Sequence, residues 1–138
     1  LHVRSRRQRQ MCIRDSPYPI ENPLDGQTIP LILIGGAIKQ PLVVDTYASQ
    51  IDIAATLLAQ LGLPHDEFTF SKNIMNPASP HFAYFTRPNY FGMITADNQL
   101  VYNLDANTVQ LDEGTAKGAN LEKGKAFLQK LYDDLAKR

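Results

Sequence analysis

Residues 29–34 read Ile-Pro-Leu-Ile-Leu-Ile and are followed at once by Gly35-Gly36. A strand with one face in water alternates apolar and polar residues, whereas an unbroken apolar run is typical of a strand buried on both faces. Pro30 is tolerated because it stands near the start of the run, and the two glycines allow a tight turn at its end. The run therefore predicts a central strand of an α/β core, with helices covering both faces of the sheet.

The segment that follows carries a helical pattern over residues 50–61. Its apolar side chains recur at spacings of three and four, which predicts a helix that buries one face in the core. Those side chains are Ile51, Ala54, Ala55, Leu58 and Leu61. Ser49 and Asp52 have the spacing of a capping box at the helix start, whereas Gly62 and Pro64 predict its end.

The rest of the chain predicts a second, smaller unit after an irregular connector at residues 65–81. A final helix is expected at about 121–136, capped by Asn120, with Gly124 weakening its first turn. The apolar stripe of that helix consists of Leu121, Leu128, Leu131 and Leu135. Before it, aromatic and β-branched runs separated by turn residues predict an antiparallel sheet. The strands of that sheet are expected at residues 82–86, 90–95, 99–104 and 108–111.

Composition is typical of a globular protein, either one domain or part of one. The chain has 138 residues, 43% of them hydrophobic, with 14 basic and 14 acidic residues. Five arginines and one acid fall in residues 1–16, so residues 17–138 carry a net charge of −4 and offer no basic face for nucleic acid. The apolar run 29–34 is far shorter than the ~20 residues of a membrane-spanning helix. The single cysteine, Cys12, cannot form a disulfide within the chain.

Residues 1–16 differ from the rest, being rich in arginine and without helical or strand periodicity. Three interpretations are open: a basic arm that contacts an anionic surface, a disordered tail, and a segment foreign to the protein. Residues 4–16 read Arg-Ser-Arg-Arg-Gln-Arg-Gln-Met-Cys-Ile-Arg-Asp-Ser and resemble translated sequencing-adapter read-through, so we favour the third interpretation. With Leu1 rather than methionine at the start, we expect an incomplete reading frame.

Few residues qualify as catalytic or metal-binding candidates. The sequence has no Gly-rich phosphate loop and no HExxH, GxSxG or CxxC motif. The run His65-Asp66-Glu67 offers metal-ligating atoms, but sequence neighbours do not readily converge on one ion, so a solvated loop is the favoured interpretation. The histidines are isolated from one another; they are His2, His65 and His81. Asp45 and Tyr47 follow a short extended piece and are candidates for facing a substrate, with ordinary loop residues as the simpler interpretation.

Two further groups have a structural interpretation beside a functional one. The Asp52 carboxylate is expected to cap its helix rather than to bind a metal. The aromatic residues of the predicted sheet are candidates for stacking on single-stranded nucleic acid. Because no Lys or Arg alternates with them, we expect them to form the core of the sheet. They are Phe82, Tyr84, Phe85, Tyr90, Phe91 and Tyr102.

Four pieces of the chain, taken in order, resemble the C-terminal part of the lipoteichoic-acid-synthase-like sulfatases, which belong to the alkaline phosphatase superfamily. The first is the apolar run with its glycine turn, and the second is the helix at residues 49–62. That helix matches the family form (Ser/Gly)-(Gln/Glu)-(Ile/Val)-Asp-apolar-x-x-Thr-Leu-Leu-x-x-Leu-Gly, although Ala55 replaces the proline common before the threonine. The third piece, at residues 68–74, reads Phe-Thr-Phe-Ser-Lys-Asn-Ile, and the fourth is the meander with the final helix.

The resemblance implies an α/β fold class. Residues 17–81 would form the C-terminal part of an alkaline-phosphatase-like sandwich, a buried strand plus a helix. Residues 82–138 would form a small antiparallel sheet followed by a C-terminal helix, and residues 1–16 would lie outside both regions. It also implies a parent enzyme that is a phosphoglycerol or phosphoethanolamine transferase or an ester hydrolase. In such enzymes a Thr or Ser nucleophile acts with a divalent metal, here Mn, Mg, Ca or Zn. The parent is expected in the bacterial cell membrane, held by N-terminal helices, with an extracytoplasmic catalytic domain.

The family's catalytic and metal-binding residues lie upstream of the matched region. Its Asp-His-Gly metal motif falls where this chain has Arg14-Asp15-Ser16, and Thr28 stands where family members often have a histidine. We therefore assign no catalytic, substrate-binding or metal residue and no cofactor to this chain, and we expect it to be inactive by itself. The expected partner is the rest of the parent's catalytic domain. The alternative is a small standalone α+β binding module that uses residues 1–16 as a basic arm.

Overall fold

The computed structural model describes residues 24, 27–34 and 40–138. The chain divides into two compact units, Leu1–Lys39 and Gln40–Arg138. The interpretations of residues 1–16 and the turn predicted at Gly35-Gly36 concern residues outside those that the structure describes.

In the first unit the apolar run at residues 29–34 does not form the buried strand that its composition predicts. No residue of this run is part of a strand, and the side chains of Ile32 and Ile34 are 74% and 92% exposed. A strand is stabilised by neighbours that take up its backbone hydrogen bonds and cover its faces. Among the described residues, every strand belongs to one antiparallel sheet within residues 83–114, so this part of the chain contains no strand that could be a parallel neighbour of the run.

The second unit contains two helices and four strands. Helix α1 spans Asp52–Gln60, and strands β1 to β4 span Ala83–Arg87, Tyr90–Ile94, Asn98–Asn103 and Thr108–Gly114. Helix α2 spans Ala119–Lys137. The strands form an antiparallel meander in the order β1-β2-β3-β4. The predicted mixed α/β class, with its small antiparallel sheet and C-terminal helix, is therefore confirmed.

The core lies between one face of the sheet and helix α2, which packs on β2 and β3. Its buried residues are Tyr84, Phe91, Met93, Leu100, Tyr102 and Leu128. The Phe91 ring lies 5.5 Å from the ring of Tyr102 and 5.9 Å from that of Tyr84, centroid to centroid. Three of the six aromatic residues predicted to form the core of the sheet are therefore part of that core. In the stripe predicted for α2, Leu121, Leu128 and Leu131 pack on this core, whereas Leu135 is exposed.

Gly124 has a packing role that its low helix propensity does not indicate. It lies in the second turn of α2, is buried, and faces the Phe91 ring. A Cβ atom built at this position would lie 2.4 Å from Cε2 of Phe91, well inside van der Waals contact. The glycine that weakens the isolated helix therefore lets the helix approach the sheet closely.

Helix α1 ends as its sequence predicts. Gly62 adopts a left-handed conformation with φ of 68°. Its N–H donates to the carbonyl of Ala59 over 3.1 Å, and the N–H of Leu63 donates to the carbonyl of Leu58 over 2.9 Å. This pair of hydrogen bonds is a Schellman motif, in which glycine is favoured because it has no Cβ to clash.

The start of α2 differs from the prediction. The helix begins at Ala119, so Asn120 lies within the first turn instead of capping it, and Gly118 occupies the N-cap position with φ of 79°. The backbone N–H of Asn120 donates to Oδ1 of Asn98 over 3.1 Å. The free N–H group that any first helical turn presents is therefore bound by a side chain from β3.

None of the helices within the described residues is both long and apolar enough to cross a membrane.

Candidate functional site

Helix α1 turns its polar side inward. Its buried residues are Asp52, Ala55 and Thr56, whereas Ile51, Leu57 and Leu61 are 43%, 42% and 70% exposed. The prediction that its apolar face lies in the core is therefore wrong, apart from Ala55. Periodicity shows which residues share a face of the helix. It does not show which face is buried, because polar side chains can turn inward when hydrogen-bonding partners await them there.

The Asp52 carboxylate is the centre of the inward side. It is 1% exposed and accepts three hydrogen bonds: from the N–H of Ser49 at 2.7 Å, from the N–H of Lys72 at 3.1 Å and from Lys72 Nζ at 2.6 Å. The Lys72 ammonium also lies 4.0 Å above the centroid of the Phe82 ring. A buried carboxylate with a cationic partner and two backbone donors has its charge compensated in place.

Thr56, one turn further along α1, extends the same contact. Its hydroxyl donates to the carbonyl of Asp52 over 2.7 Å and accepts from the N–H of Ile74 over 3.1 Å. The N–H of Ala55 donates to the Ser71 hydroxyl over 2.9 Å. Residues 71–74 of the connector thus run along the inward side of α1. We call this contact between α1 and residues 71–74 the polar clamp.

Ser49 forms only half of the predicted capping box. Its N–H donates to Asp52, as the box requires, but its hydroxyl accepts from the N–H of Tyr84 over 2.6 Å. The N-cap position falls on Ile51, which makes no side-chain capping bond. Ser49 therefore joins the start of α1 to strand β1, a long-range role that the local spacing does not reveal.

A second polar cluster holds the start of α2 against the sheet. The Asn120 amide group donates to the carbonyls of Met93 and Asn98 and to the Thr95 hydroxyl, at 3.2, 2.6 and 3.1 Å. The amide of Asn98 donates to Asp112 Oδ1 over 2.6 Å. Asn98 and Asn120 are each 1% exposed. We call this group the asparagine cluster; sequence reasoning missed it because residues 98 and 120 meet only in the folded chain.

The carboxylate of Asp112 completes this cluster. It accepts hydrogen bonds from the amide of Asn98 and the N–H of Gly118, which hold its pKa below the ordinary value. A carboxyl whose pKa is lowered by folding stabilises the protein above its unfolded pKa, and that contribution disappears as the pH falls through the folded pKa.

We therefore expect Asp112→Asn to reduce the loss of stability in acid. The Asn side chain still offers an oxygen to the same two donors, but it does not titrate. Urea unfolding measured at neutral pH and again below about pH 4 should show a smaller drop in midpoint for the variant than for the parent chain. Equal drops in the two proteins would contradict this role.

The remaining candidates do not converge. Asp45, Tyr47, Asp66 and Glu67 are exposed. Nδ1 of His65 lies 3.4 Å from the carbonyl of Leu63 in its own loop. Within residues 24, 27–34 and 40–138, no three His, Cys, Asp or Glu side chains are placed to share a metal ion. The described residues thus offer no set of ligands that fits the divalent metal implied by the resemblance.

Comparisons with protein-family models, curated proteins and solved structures give no match for this chain. The arrangement itself must therefore indicate what the chain does. It has two buried polar clusters that join segments distant in sequence, and most of their polar atoms are bonded within the chain, although the buried Oδ1 of Asn120 has no hydrogen-bond partner among the described residues. Such clusters hold a fold in one geometry, which favours a scaffolding role for these residues over a catalytic one.

Proposed function

We propose that this chain is the C-terminal part of a metal-dependent, sulfatase-like phosphoglycerol or phosphoethanolamine transferase, or of a related sulfuric or phosphoric ester hydrolase. In this proposal the chain scaffolds the catalytic domain, whereas the nucleophile and the metal ligands belong to the upstream part. The observation that carries the proposal is the polar clamp, because it is built from two of the pieces that resemble that family.

The two pieces are separated in sequence and meet in the fold. Asp52 and Thr56 are fixed positions of the helix pattern at residues 49–62, and Lys72 belongs to the segment at residues 68–74. Asp52 and Lys72 form a buried ion pair at 2.6 Å, and the N–H of Ile74 donates to Thr56. If the resemblance had arisen by chance in two unrelated segments, there would be no reason for these residues to contact one another. Their contact therefore supports a common origin for the two matched segments.

Exposed apolar side chains also support the proposal. The run at residues 29–34 and the outward side of α1 both present large apolar side chains to solvent. Contiguous apolar surface on a folded chain commonly marks a contact with another protein surface. In the proposal each of these two surfaces, taken separately, is covered by the rest of the catalytic domain, and any contact with a membrane would be made by the upstream helices.

The test is to sequence the source DNA upstream of the codon for Pro17. We expect an open frame that replaces residues 1–16, with an Asp-His-Gly just before Pro17. A Thr or Ser nucleophile and membrane helices should lie further upstream. The 138-residue chain assayed alone with Mn²⁺ should not cleave a p-nitrophenyl phosphodiester. If residues 1–16 are genuine and a start codon lies close to them, or if the chain alone cleaves the ester, the proposal fails.

A further inference from the structure

We draw no further inference here: the strongest candidate, the exposed apolar side of helix α1 at Ile51, Leu57 and Leu61, carries nothing further because nothing in the structure shows what covers it.

Discussion

Replacing Asp52 with alanine should lower the free energy of unfolding by about 3–5 kcal/mol. The substitution removes the acceptor of three hydrogen bonds and leaves the Lys72 ammonium, itself largely buried, without a counter-charge. The Lys72 N–H would also lose its acceptor. Because one substitution removes both the ion pair and the backbone hydrogen bond that join Asp52 to the connector, we expect a larger loss of stability than from removing any carboxylate at the surface.

The measurement is urea unfolding followed by circular dichroism, with Asp134→Ala as the matched control. Asp134 also pairs with a cation, Arg138, at 2.8 Å, but that pair lies at the surface and should contribute less than about 1 kcal/mol. If the two variants lose similar stability, the ion pair of the polar clamp does not hold α1 in place. Should Asp52→Ala prove insoluble, Lys72→Met tests the same pair from its more exposed side and should also be strongly destabilising.

Replacing Asn120 with alanine should cost about 3 kcal/mol. Its amide group donates to two backbone carbonyls and one hydroxyl in a place that water does not reach. Removing the donor leaves these acceptors with fewer partners, and the desolvation cost of unsatisfied buried groups is then not recovered. The start of α2 should consequently loosen from the sheet.

A second variant separates hydrogen bonding from packing at this position. Asn120→Asp has nearly the same shape, but it presents an oxygen where the amide group donates. We expect it to be at least as destabilising as the alanine variant in thermal unfolding near neutral pH. Asn76→Ala, which removes an exposed bond to the N–H of Ala78, serves as the control and should change stability by less than about 0.5 kcal/mol. A stable Asn120→Asp protein would show that the amide orientation does not matter.

Local patterns predicted the meander, the final helix and the end of α1. Each of these depends on residues close together in sequence: alternating apolar side chains with turn residues between them, a stripe at helical spacing, and a glycine at a helix end. The strand predicted at residues 29–34 failed for the opposite reason. A buried strand depends on neighbouring strands, and composition cannot supply them.

The orientation of α1 and both polar clusters lay beyond such patterns. Lys72 lies 20 residues from Asp52, and Asn120 lies 22 residues from Asn98. Spacing suggested that Asp52 and Asn120 were local helix caps, a role that each residue type commonly fills. One signal was available: Asp52 and Thr56 lie one turn apart and so share one side of the helix. Their partners could not be named without the fold.

The contact between Gly124 and Phe91 sets the axial position of α2 on the sheet. The aromatic ring fits against the helix only where a side chain is missing, and α2 has a single glycine in its 19 residues. A slide of one turn in either direction would bring Asn120 or Leu128 over the ring and separate the surfaces. Gly124 therefore marks the one position along the helix axis at which α2 and the sheet can pack closely.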